Sequence, residues 1–114
     1  MTGLVLAGMG KFTADMSGSE LNSVSSISDF GGNCTLSATS VHKLKIAFSG
    51  NLNNVGSANY LLVLTGGLDD SNQTNPLTFY ETIYSNDSCL TLITGNDGSD
   101  RPAQYFIYAK ESAL

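Results

Sequence analysis

Few side chains in this chain of 114 residues have the chemistry for catalysis or metal binding: one histidine, two cysteines, ten carboxylates and five permanent cations. His42 stands in Ser-Val-His-Lys-Leu-Lys, with no cysteine or carboxylate at metal-ligand spacing beside it. No metal is expected within one subunit; only three copies of His42 meeting on a threefold axis would make it a ligand. A nucleophilic site would need Ser or Cys held by His42 and an orienting carboxylate. Cys89 lies in SCLTLI, without a cationic neighbour to lower its pKa. Hydrolysis of a glycoside needs two carboxylates facing each other across a cleft, whereas Glu81 alone sits inside a strand-like run. Neither an enzyme nor a cofactor is expected. Cys34 and Cys89 both fall in strand-like segments and read as buried free thiols rather than a disulfide.

The remaining polar chemistry is hydrogen bonding, and it concentrates in two loops. One carries Asp69, Asp70, Asn72, Gln73 and Asn75; the other carries Asn96, Asp97, Ser99, Asp100 and Arg101. These groups suit sugar hydroxyls, and Tyr80 or Tyr84 offers a ring on which a pyranose can stack. Loops on a rigid β-scaffold are the usual carriers of recognition. The second loop, GNDGSD, resembles a calcium loop in composition but lacks the spacing and terminal Glu of an EF-hand, so an Asx-stabilised turn is expected there. Asn33, Asn72 and Asn86 each open an Asn-X-Ser/Thr triplet, as an Asn/Ser/Thr-rich composition produces by chance.

Composition narrows the class of partner. Charged residues are 13% of the chain and the net charge is −5, against roughly 25% charged residues in an average soluble protein. Lys11, Lys43, Lys45, Arg101 and Lys110 form no run or stripe, which excludes nucleic acid and anionic membrane surfaces as partners. The opening MTGLVLAGMGKF has no basic n-region, and Lys11 follows the apolar run instead of preceding it, so no signal peptide is expected. No segment approaches the ~20 apolar residues that cross a bilayer.

The elements that must position these groups are strands. Runs at 4–14, 21–27, 34–38, 43–48, 58–67, 76–85, 88–94 and 103–110 lie between turn signals, and no 3.6-residue period is sustained. Leu44, Ile46 and Phe48 alternate with Lys43, Lys45 and Ala47, the signature of a strand with one wet face. Gly8 and Gly10 mark a bulge or a close backbone approach. Residues 15–20 read as a turn, Gly31-Gly32 as a hairpin signal, and 49–57 as a polar loop. The expectation is one domain over 1–114: an all-β antiparallel sandwich of six to eight strands. Tyr60–Leu64 and Tyr105–Tyr108 are apolar without a break, so each strand needs cover on both faces. The second cover is expected from further copies of the chain, in a homo-oligomer.

The order of these segments resembles a small trimeric domain of bacteriophage tail fibres. The resemblance rests on Lys45, Ile46, Phe48 and Leu52, on Ala58, Asn59, Tyr60, Val63 and Thr65, on Leu90 and Leu92, and on Pro102, Ala103, Phe106 and Ala109. It spans most of the chain from about residue 9, and departs at 29–42, which is longer than the family's turn, and at Gly66-Gly67. It implies a homotrimeric virion-surface protein, made in the host cytoplasm, with other virion proteins and host-surface glycans as partners. A second likeness in shape is to the H-type lectins, which are oligomeric six-stranded sandwiches. The chain has no Trp, so a lectin-like sugar platform would be Tyr or Phe.

Overall fold

The computed structural model describes residues 3–66, 77–95, 98 and 100–114. Among them eight strands follow one another: β1 Leu4–Ser17, β2 Glu20–Asp29, β3 Cys34–Ala38, β4 Lys43–Phe48, β5 Tyr60–Gly66, β6 Thr78–Tyr84, β7 Ser88–Thr94 and β8 Arg101–Lys110. Every pairing is antiparallel. The strands fall into two four-stranded halves, β2-β1-β8-β5 and β3-β4-β7-β6, joined by the single pair Glu20–Thr94. The all-β antiparallel expectation holds, at the upper end of the expected strand number.

Side-chain alternation builds the core between the halves. On β8, Arg101, Ala103, Tyr105, Ile107 and Ala109 are buried while the residues between them are not. Cys89, Thr91 and Ile93 do the same on β7, and Leu44, Ile46 and Phe48 on β4. Aromatic rings tie the halves together. Phe48 on β4 and Tyr84 on β6 each pack edge-on against Tyr60 of β5, with centroids 5.0 and 5.1 Å apart, the geometry favoured by ring quadrupoles. The Tyr60 hydroxyl lies 2.9 Å from the carbonyl oxygen of Ser85 and 2.7 Å from that of Ser88.

The glycines of β1 behave as the sequence suggests. A register shift falls between Leu6 and Gly8 on the pairing with β8. A Cβ at Gly10 would collide with the carbonyl oxygen of Ser28 and the hydroxyl of Tyr105. That absence of a side chain lets Tyr105 lie across β1 and donate to Asp29 at 2.7 Å, while the other carboxylate oxygen of Asp29 accepts from the Cys34 amide at 2.9 Å.

Three local expectations are corrected. The first strand runs on to Ser17 because Met16 is buried and Asp15 accepts hydrogen bonds from Ser23 (2.9 Å) and Ser25 (3.0 Å). The turn shrinks to Gly18-Ser19, with Gly18 at φ +61°. Gly31-Gly32 makes no hairpin: β2 pairs with β1 and β3 with β4, so the segment crosses from one half to the other. Asn33 anchors that crossing, its Nδ2 donating to the Ala7 carbonyl and to Asn51 Oδ1, each at 2.8 Å. The loop at 49–57 is not wholly polar in its packing, because a short 3-10 turn at Gly50–Leu52 carries Leu52 into the core and Val55 follows it.

The domain measures 45 × 25 × 22 Å, and β1, at about 3.3 Å per residue, runs nearly its full length. The first strand and the last meet at one pole, where Leu4 pairs with Lys110 and the Glu111 amide donates to the Gly3 carbonyl (2.9 Å). At the other pole Gly66 pairs with Ala103 and Thr78 with Thr94, so the residues flanking both candidate loops lie together.

Candidate functional site

Two exposed surfaces invite function, and each follows from strand alternation on an outward face. The first lies on β4, β7 and β6. Leu90 stands between Ile83 and Lys45, and Leu92 is paired with Lys43. Between Phe79 and Thr82 the register of β6 slips, leaving Tyr80 and Glu81 both exposed instead of one in and one out. A bulge of this kind re-aims side chains. Here it sets an aromatic ring and a carboxylate together on one rim. Lys43, Tyr80, Glu81, Ile83, Leu90 and Leu92 enclose an open groove of about 320 Å³, within the usual range for small-ligand sites. Leu92 and Lys43 place it near the pole of the candidate loops.

The groove carries both signs of charge, the Lys43 ammonium and the Glu81 carboxylate. Among the described residues His42 meets Glu20 at 3.0 Å, and no carboxylate of theirs is in contact with the Lys43 ammonium. Lys45 shares the outward face of β4 with Lys43. Two of the five cations of a chain carrying −5 therefore stand on this one surface.

The structure distinguishes the two tyrosines offered for stacking. Tyr84 is engaged: its ring packs on Tyr60 and its hydroxyl accepts the Leu62 amide at 3.2 Å. Tyr80 is 52% exposed and lines the groove. Of the loop residues, Asp100 is exposed. Arg101 departs from expectation, because it opens β8 on the inward register, opposite Ala14, and is fully buried. Its guanidinium is withdrawn from the loop surface. Asp69, Asp70, Asn72, Gln73, Asn75, Asn96, Asp97 and Ser99 lie outside the described residues.

The other candidate groups are held by structure. The Nδ1 atom of His42 lies 3.0 Å from the Leu21 carbonyl and its Nε2 faces Glu20, so a three-histidine axis would require breaking both contacts. Among the described residues no group of three His, Cys, Asp or Glu is placed to hold a metal ion. Cys34 and Cys89 are free, buried thiols. Burial, then the nearby Asp29 carboxylate, then Cys89 push the Cys34 thiol up to about 12. Burial pushes Cys89 up to about 12 as well, against the opposing hydrogen bond of Tyr60. Neither has the exposed, low-pKa character of a nucleophile. Asn33, the first of the three Asn-X-Ser/Thr positions, is buried and bonded at the crossing between the halves. No helix among the described residues is long and apolar enough to cross a membrane.

The second surface is the outward face of β5, β8 and β1. Leu61, Tyr108 and Leu6 form one row across the strands, and Val63, Phe106 and Met9 the next. Leu4, Leu6, Leu61, Val63 and Tyr108 are all exposed there. Tyr60, Tyr105 and Ile107 point into the core, so the unbroken apolar runs do divide between an inner and an outer face. The outer edge of β5 is partly closed, because its Leu62 amide is occupied by Tyr84.

Lys43 and the floor residues Leu90 and Leu92 are missing from the loop-based site expectation. Their trace in the sequence is the step of three between the inward residues Phe79 and Thr82, which marks the bulge beside them. Scanned against protein-family models, curated proteins and solved structures, the chain matches none of them.

Proposed function

We propose that this chain is an attachment domain of a virion surface, displayed on a tail fibre or as a capsid spike or decoration, and that it binds host-surface glycans as a homotrimer. The observation that carries the reading is the polarity of the domain. At one pole the first strand and the last are tied together, which leaves that pole to be the one held on the virion. The Tyr80 groove and the residues flanking both loops sit toward the other pole. The apolar outer face of β5-β8-β1 supports self-assembly, since exposed patches of this kind mark contact sites. The sequence resemblance to tail-fibre domains points the same way.

Electron microscopy of purified virions labelled with antibody to the protein tests this. Label on the particles is the expected result. Unlabelled particles, together with agglutination of cells by the free protein, turn the reading to a free oligomeric lectin, whose exposed Tyr80 would serve as the sugar platform.

A further inference from the structure

The groove has more chemical character than a generic sugar site, and its composition points to a class of ligand. One wall is the exposed ring of Tyr80, the floor is Leu90, Leu92 and Ile83, and the polar groups are one ammonium and one carboxylate. A ring beside an apolar floor suits the C–H face of a pyranose. Glu81, as a carboxylate, accepts hydrogen bonds from hydroxyls and repels an anion brought to its own side. Lys43 is the opposite: a cation with no carboxylate in contact among the described residues, supported by Lys45 on the same face.

We propose that the Tyr80 groove binds a pyranose bearing a carboxylate, such as a uronic acid unit of a surface polysaccharide. The sugar stacks on Tyr80, its carboxylate meets Lys43, and its hydroxyls face Glu81. The two charges, on β4 and on β6, lie on opposite sides of the central strand β7. They orient an acidic sugar one way round and give a neutral sugar no such preference. This inference rests on the glycan-attachment reading and names its ligand class.

An exposed charge pair contributes modestly, so the preference is set at about twofold to fivefold over the neutral isostere. It weakens as salt shortens the screening length. The test uses a galacturonic acid trisaccharide and the same trisaccharide with its carboxylates reduced to hydroxymethyl groups. Both are titrated into the intact protein and followed by amide shifts in NMR spectra. The expected result is tighter binding of the acidic sugar, shifts at Tyr80, Leu90 and Leu92, and a preference that shrinks with added salt. Lys43→Gln should bring the acidic sugar down to the level of the neutral one, and Tyr80→Ala should remove both, with the remaining spectrum unchanged as proof of folding. Equal binding of the two sugars by the wild type overturns the acidic class and leaves the glycan reading standing. Binding of neither overturns the groove as a sugar site, while virion labelling decides separately where the protein resides.

Discussion

Self-association through the β5-β8-β1 face can be worked from the structure. Leu4, Leu6, Leu61, Val63 and Tyr108 are exposed by 36% to 56%, together the equivalent of about two fully exposed side chains. Burying a large apolar side chain contributes about 1.5–3 kcal/mol, so the face offers about 3–6 kcal/mol per copy. Two copies facing one another gain about 6–12 kcal/mol against an association cost of about 4–15 kcal/mol. A single contact therefore reaches micromolar affinity at best. A closed trimer divides three such faces, about 9–18 kcal/mol in all, between two association steps, so it too assembles in a concentration-dependent way.

Val63→Lys places an ammonium in the middle of the face. It forfeits about 1 kcal/mol of apolar burial and adds a desolvation cost of about 2 kcal/mol, which weakens association by about a hundredfold. Light scattering from about 1 to 100 μM, the range set by that affinity, should show a trimer for the wild type and folded monomers for the variant. Phe48→Asp is the contrast: its side chain is only 8% exposed and packs on Tyr60, so this change should abolish folding. A monodisperse wild-type monomer throughout that range refutes the argument, and so does a Val63→Lys protein that keeps the wild-type size.

Three further outcomes follow from the interior. Tyr105→Phe removes the hydroxyl that donates to Asp29, a loss of about 1.5–3 kcal/mol, or roughly 5–12 °C in Tm; an unchanged melting curve would show that Asp29 does not need this donor. Gly10→Ala forces a Cβ into the Ser28 carbonyl and the Tyr105 hydroxyl and should cost about 3 kcal/mol or more in urea unfolding; a variant within about 0.5 kcal/mol of wild type contradicts that packing. The thiols of Cys34 and Cys89 should escape modification at about pH 8 until the protein is unfolded. Their folded pKa values of about 12 lie above the ordinary 9.0, so in the unfolded chain they ionise first. The unfolded state then binds fewer protons, and stability falls as pH rises from about 9 toward 12. A urea midpoint that stays level from about pH 8 to 11 would refute the thiols' share in this.

Where the period of two is unbroken, the strands are legible in the sequence itself. Leu44, Ile46 and Phe48 of β4 point inward as their spacing requires, and β3, the run just before it, is its partner. Legibility ends where a bulge resets the period. On β2 the spacing of Leu21, Ser23, Ser25 and Ile27 leaves the core face ambiguous. The strand slips against β1 twice, between Asp15 and Met16 and between Lys11 and Thr13, and Ile27 ends up exposed. The crossing at Gly31-Gly32 is hidden for a different reason. Local turn chemistry specifies that the chain reverses but not which strand it meets, and that choice is made by Asn33 bonding to Ala7 and Asn51, residues 26 and 18 positions away.

The same physics explains why the candidate groove is only half visible in the sequence. Tyr80 stands out as an aromatic ring, yet its value comes from Phe79 and Thr82, whose inward positions are three apart and push Tyr80 and Glu81 outward together. Lys43, taken by its spacing alone, belongs to the wet face of a regular strand. It becomes a site residue because β7 lays Leu90 and Leu92 between it and that bulge. Arg101 goes the other way: a cation beside a polar loop is ordinarily solvated, but the register with β1 places it opposite Ala14, on the buried side. One residue of register decides whether a charge is a ligand contact or part of the core. A site on a β-scaffold is thus read less from its loop residues than from the positions at which alternation breaks.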